Sequence, residues 1–153
     1  MEEIIINDHN KQEYPPMHTA EHILNQTMGR MFGCLRSKSS HIERKKSKCD
    51  YLLAEAPTAE QIEEIQDRIN EVISQNLPVT VTFAKRNEIP ESVDLSKLPG
   101  DASEILRLVS VGDYDICACA GTHVSNTSEV GTFKIISTDY AEGKLRVRFK
   151  LEN

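Results

Sequence analysis

Apolar residues recur along this chain with two periods, and the places where the period changes mark out its elements. After Pro15-Pro16, the side chains of Met17, Ala20, Leu24, Met28, Met31 and Phe32 cluster on one side at about 100° per residue, and Gly33 supplies a left-handed stop. That pattern predicts a helix over 17–32. A second helix opens at Thr58, whose partner Gln61 three residues on completes a capping box after Pro57. Its buried stripe is Ile62, Ile65, Ile69, Val72 and Ile73, and it ends near Asn76, ahead of Pro78. Elsewhere the period falls to two. Residues 79–83 (VTVTF) read as a strand, and 105–111 and 114–118 as two more around a Gly112-Asp113 turn. FKIIST and KLRVRFKLE flank Glu142-Gly143 as a hairpin, and 49–54 is a further strand candidate. Residues 87–104, with Pro90, Pro99 and Gly100, read as a loop. The consistent assembly is a single α+β domain over 1–153, with helices packed on one face of a mainly antiparallel sheet.

The first helix carries an anomaly. His18, His22, Asn25 and Gly29 fall on a narrow line well over 100° from the centre of the apolar stripe. Both histidines are therefore expected to point away from the helix's own core face. Imidazoles at i and i+4 stack about 5–6 Å apart at Cβ, a spacing suited to two ligands of one zinc ion. A second pair lies about 100 residues later. Cys119 and His123 are four apart across Gly121, where a strand gives way to a turn, so a thiolate and an imidazole can converge on one point. Together the two pairs offer a Cys-His₃ set for zinc. Cys117 competes with Cys119 for the sulfur position, because residues two apart on a strand share a face. Cys34 and Cys49 have no such company and read as buried thiols.

Composition narrows the classes. The chain has 153 residues, 39% hydrophobic and 27% charged, within the ordinary globular range, which excludes a disordered or fibrous protein. No apolar run approaches the roughly 18 residues of a membrane helix, and Met1-Glu2-Glu3 does not begin a signal peptide. Four cysteines do not resemble a disulfide scaffold. The expectation is a cytoplasmic protein with thiols available for metal and no membrane partner. The net charge is −6, yet the stretch RSKSSHIERKKSK over 36–48 carries +5, from Arg36, Lys38, Arg44, Lys45, Lys46 and Lys48 against Glu43. Such a strip either meets a polyanion or guards a solvated sheet edge.

His-Thr-Ala-x-His on a helix, followed in the last third by Cys-x-Gly-Thr-His-Val, resembles the editing domain of alanyl-tRNA synthetases. It resembles the stand-alone AlaX proteins in their short form still more closely, and the threonyl-tRNA synthetase editing domain shares the two metal pairs. The resemblance runs through Gly33, the polar strip 37–41, the capped helix 58–75, Tyr114-Asp115 and the stretch 127–131. It implies a trans-editing hydrolase that cleaves the ester of mischarged tRNA(Ala), with serine the expected amino acid and glycine a further one. Carried over residue by residue, the zinc ligands are His18, His22, Cys119 and His123. A hydroxyl in the strand after the first helix senses the serine; by spacing this is Ser39, with Ser40 next. The backbone amides of Gly121 and Thr122 are candidates for holding the ester carbonyl, though a plain tight turn is the alternative. With tRNA as ligand, the basic strip is expected to meet the acceptor stem beside the charged 3′ end.

Two rivals stand beside this reading. His18-x-x-Glu21-His22 formally matches the inverted zincin motif, in which the glutamate is the general base of a peptidase. Against it, Glu21 lies about 100° from His22 around the helix, and Cys119 and His123 go unexplained. The other rival is a catalytically silent, zinc-stabilised tRNA-binding module.

Overall fold

The computed structural model describes residues 14–37, 39–85, 105–119 and 121–152. In chain order these form α1 (Pro15–Phe32), β1 (Ser39–His41), β2 (Ser47–Leu52), α2 (Ala59–Ser74), β3 (Val79–Lys85), β4 (Ile105–Val111), β5 (Asp115–Ala118), a 3₁₀ turn (Thr127–Glu129), β6 (Thr132–Ala141) and β7 (Lys144–Glu152). The expected α+β architecture is present. The single expected sheet is instead two: a four-stranded sheet in the order β1-β2-β7-β6 and a three-stranded sheet in the order β3-β4-β5, with every pairing antiparallel. The expected loop over 87–104 and Lys38 lie outside the described residues.

Local chemistry accounts for the element ends. Pro15 and Pro16 occupy the first helical positions of α1, where a missing N–H costs nothing, so the helix starts two residues earlier than its apolar pattern. Gly33 stops it at φ 69°, donating its N–H to the Gly29 carbonyl. The α2 capping box forms with both reciprocal hydrogen bonds between Thr58 and Gln61. Glu142 and Gly143 both take positive φ, as a type I′ turn between β6 and β7 requires. Gly112, between β4 and β5, also has positive φ, and a Cβ there would sit 3.1 Å from the Leu77 side chain. Both constraints favour glycine.

The four-stranded sheet and α2 enclose the main core, in which Phe133 and Phe149 stack with ring centroids 5.1 Å apart. α2 is also hydrogen-bonded to the edge of β6. The Asn70 carboxamide donates to the Phe133 carbonyl and accepts the Phe133 amide, and Gln66 accepts the Ile135 amide. The Val79 amide meets the Ser125 carbonyl and Pro78 bridges to Asn126, which ties the start of β3 to the segment ahead of the 3₁₀ turn.

α1 lies between these layers, packed on α2 and touching β4 and β5. Of its expected apolar stripe, Met17, Ala20, Leu24 and Met28 are fully buried, while Met31 and Phe32 in the last turn are half-buried. The middle of the opposite line is buried too: His22 and Asn25 are 1% and 2% exposed, while His18 and Gly29 at its ends are half-buried. A single helix's periodicity reveals one apolar face, but here a second layer covers the polar face as well. What lies beneath that layer is a set of hydrogen-bonding groups.

Candidate metal centre

The His18–His22 face of α1 looks onto β5 and the turn that follows it. The ligand atoms of His22, Cys119 and His123 lie within 4.8 Å of one another. Cys119 Sγ is 4.0 Å from His123 Nε2, and the His22 and His123 rings meet edge-on with centroids 4.6 Å apart. Tetrahedral zinc with Zn–N near 2.0 Å and Zn–S near 2.3 Å needs donor–donor edges of roughly 3.3–3.8 Å, so this set closes on an ion with a small inward shift. His18 lies outside this trio; its ring contacts that of His123 at 5.8 Å. His123 Nδ1 is buried without a hydrogen-bond partner among the described residues.

A second trio shares His22. Its Nδ1 is 3.1 Å from Cys117 Sγ and 3.3 Å from Asp115 Oδ2, so Cys117 remains a competitor for the sulfur position. Burial opposes a charge on His22, but hydrogen bonds to Asp115, Cys117 and Cys119 outweigh it and hold the pKa well above 6.5. For His123, burial and then the neighbouring His22 and His18 charges push the pKa down to about 3. Burial would raise the Asp115 pKa, yet His22 and Arg36 keep it below the usual carboxylate value.

The turn carrying Cys119 and His123 is pinned from two sides. Arg107 Nη1 donates to the carbonyls of Cys119 and Gly121, each at 2.8 Å. Thr19 Oγ1, from the middle of the His-Thr-Ala-Glu-His stretch, accepts the Val124 amide at 3.2 Å. The Gly121 amide, expected to face the ester carbonyl, donates instead to Cys119 Sγ at 3.4 Å. An N–H directed at sulfur favours the thiolate that a metal requires. Thr122 is exposed on the same turn.

The remaining expected residues are spread more widely. Ser39 pairs in register with Asp50, and Ser40 with the core residue Cys49. Arg36 does not join an outward basic strip. Its guanidinium grips Asp115 through two bonds, of 2.8 and 3.0 Å. Arg44 lies over the Tyr14 ring, Lys45 and Lys46 are exposed, and Lys48 is half-buried on β2. Lys46, Lys48, His41 and Arg148 line a groove of about 260 Å³. A larger cleft of about 720 Å³ adjoins the Asp115 side of the site, lined by Asn25, Gln26, Arg30, Arg36 and Tyr114 among others. Glu21 belongs to neither donor trio; it is buried, and its charge bears on Tyr51. Sequence reasoning missed the roles of Thr19, Asp115, Arg36 and Arg107, since each acts through a partner far away in the chain.

Residues 106–148 match the family model of the threonyl and alanyl tRNA synthetase second additional domain. Across a wider span the chain is 32% identical to an alanine–tRNA ligase of Methanococcus maripaludis strain C6, over 140 residues covering 88% of this chain and 15% of the ligase. It is 33% identical over 121 residues to that of Bacillus velezensis, covering 78% of this chain and 14% of the ligase. With the ligase of Oceanobacillus iheyensis it shares 32% identity over 132 residues, covering 85% and 15%. These matches support the alanyl/threonyl-tRNA synthetase editing-domain family. The chain spans about 15% of the length of these ligases. The matched stretch 106–148 contains Cys119 and His123, and no helix among the described residues is long and apolar enough to cross a membrane.

Proposed function

We propose that this chain is a hydrolase of the stand-alone AlaX kind, releasing wrongly attached serine, and secondarily glycine, from tRNA(Ala) in the cytoplasm. The observation that carries the reading is the gathering of His22, Cys119 and His123 within 4.8 Å, in a chain similar to alanine–tRNA ligases over most of its length. The donor chemistry fits zinc: one thiol and two imidazoles, one of them with a buried nitrogen lacking a partner among the described residues. His22, Cys119 and His123 would hold the ion, with either His18 or a water in the fourth position. When bound with an open position, zinc polarises the ester carbonyl and lowers the pKa of a bound water toward about 7.

The chain's own residues supply the rest. The Gly121 amide favours thiolate at Cys119, while Arg107 fixes the turn to β4 and Thr19 fixes it to α1. The aminoacyl ester is labile, so orientation contributes much of the rate. Selectivity against alanine rests on a hydroxyl of β1. A pocket built to hydrogen-bond a hydroxyl rejects the analogue lacking it by about 10⁴–10⁵. Ser39 is the position that the resemblance favours, with Ser40, exposed opposite Cys49, as the alternative. Lys45, Lys46 and Lys48 are suited to acceptor-stem phosphates, as is Lys38 by its place in the sequence.

Glu21 disfavours the peptidase reading, because it is buried and its carboxylate belongs to neither donor trio. The deciding experiment is deacylation of Ser-, Gly-, Ala- and Thr-charged tRNA(Ala) by the 153-residue chain, with and without a chelator. Chelator-sensitive release of serine with alanine spared supports the proposal. Binding of tRNA without hydrolysis identifies a silent binding module, and inertness toward all four overturns the editing role.

A further inference from the structure

His22 is engaged on one edge by a carboxylate that the fold holds with unusual care. Asp115 is 2% exposed at the start of β5. Its Oδ1 accepts from Gln26 Nε2 at 2.9 Å and from Arg36 Nη1 at 2.8 Å; its Oδ2 accepts from Arg36 Nη2 at 3.0 Å and lies 3.3 Å from His22 Nδ1. Three parts of the chain thus meet on one carboxylate: β5, two turns of α1, and the segment between α1 and β1. Pairing with Arg36 alone would satisfy a buried carboxylate. The contact to His22 goes beyond what burial demands.

Cys117 Sγ also reaches His22 Nδ1, but a carboxylate accepts an imidazole N–H far more strongly than a thiol does. With Nδ1–H donated to Asp115, Nε2 is the nitrogen left to coordinate. We propose that Asp115 is the positioning residue of the metal centre, fixing the tautomer and rotation of His22, and that Arg36 and Gln26 hold Asp115 in place to do so. The inference rests on the metal reading above and deepens it. It also gives Arg36 a different task from the lysines that follow it: Arg36 serves the metal, and Lys45 and Lys46 serve the phosphates.

Zinc affinity by chelator competition, metal stoichiometry and the histidine tautomers by nitrogen-15 NMR test this on the full chain. In the zinc-loaded wild type, His22 should carry its proton on Nδ1. Asp115→Asn should weaken zinc binding about 10–100-fold at an unchanged one ion per chain. Gln26→Ala, which removes one bond to the same carboxylate and should leave the fold intact, should weaken it several-fold. Arg36→Gln should weaken it more than Arg36→Lys, and neither should alter the salt slope of tRNA binding. Zinc affinity within twofold of wild type in both Asp115→Asn and Gln26→Ala overturns the proposal. So does a His22 bound to zinc through Nδ1. A second ion in the wild type that disappears in Asp115→Asn and in Cys117→Ala would make Asp115 a ligand and likewise overturn it. A wild-type chain that binds no zinc overturns the metal reading and this inference together, whereas zinc-loaded wild type with unaffected variants overturns this inference alone.

Discussion

Thr19 Oγ1 and the Val124 amide, 105 residues apart in sequence, are joined by a hydrogen bond of 3.2 Å that closes the metal-centre turn onto α1. The same hydroxyl donates to the Pro15 carbonyl one turn earlier, so one side chain serves helix and turn alike. Thr19→Val should leave the Val124 N–H buried without an acceptor and cost about 1–3 kcal/mol in chemical denaturation. Thr19→Ser keeps the hydroxyl and should recover most of the loss. A stable Thr19→Val beside a destabilised Thr19→Ser would show that packing of the methyl, and not this bond, is what matters.

Metal content should separate the two sulfurs. Cys119→Ala and His22→Ala should each reduce bound zinc well below one ion per chain, while Cys117→Ala retains it, as read by atomic emission on protein purified without added metal. Cys117 lies against the Nδ1 edge of His22, and Cys119 belongs with His123. If Cys117→Ala empties the site and Cys119→Ala does not, the sulfur assignment is reversed.

Lys45 and Lys46 are exposed on the connection between β1 and β2. Replacing both with alanine should weaken tRNA binding and make the plot of log affinity against log salt less steep, by roughly 0.7–0.9 for each phosphate that is no longer neutralised. A parallel line at lower affinity would remove them from the interface.

Stability should depend on pH through Asp50. The Arg146 guanidinium, bonded to it at 2.8 and 3.0 Å, outweighs burial and, with help from Lys144 and Lys48, holds its pKa below the ordinary carboxylate value. A carboxyl whose native pKa is depressed contributes its full stability above the unfolded value of about 4 and loses it as pH falls through the lower native value. Melting temperature should therefore drop more steeply below about pH 4 in the wild type than in Asp50→Asn, which should start lower at neutral pH. Coincident profiles would show that the Asp50–Arg146 pair contributes nothing to the linkage.

The parts of the fold that could be read from the sequence are those whose signal is local. The capping box of α2, the Gly33 stop, the Gly112 turn and the Glu142-Gly143 hairpin each depend on a few adjacent residues, and all four are present. The split into two sheets was not legible, because strand pairing is decided between residues far apart in sequence, as where β2 meets β7 at Asp50 and Arg146, 96 positions apart. The four metal-binding candidates stood out because helix spacing and a Gly bend impose short-range geometry on each pair. Their support did not. Asp115 reads as a polar residue near the start of the strand 114–118, and Arg36 as one more cation in a basic run, until the chain folds and brings them together. The burial of His22 was hidden for a related reason: a layer formed from residues about 95 positions later covers the face that an isolated helix would give to water.

The carboxamides with which α2 grips β6 have a consequence for association. Phe133 and Ile135 would otherwise present open rungs at the margin of the four-stranded sheet, an invitation to any extended polypeptide nearby. Asn70 and Gln66 fill those rungs from within the molecule. Along that stretch, resistance to cross-strand aggregation is built from two neutral amides on a helix and needs no guarding charge.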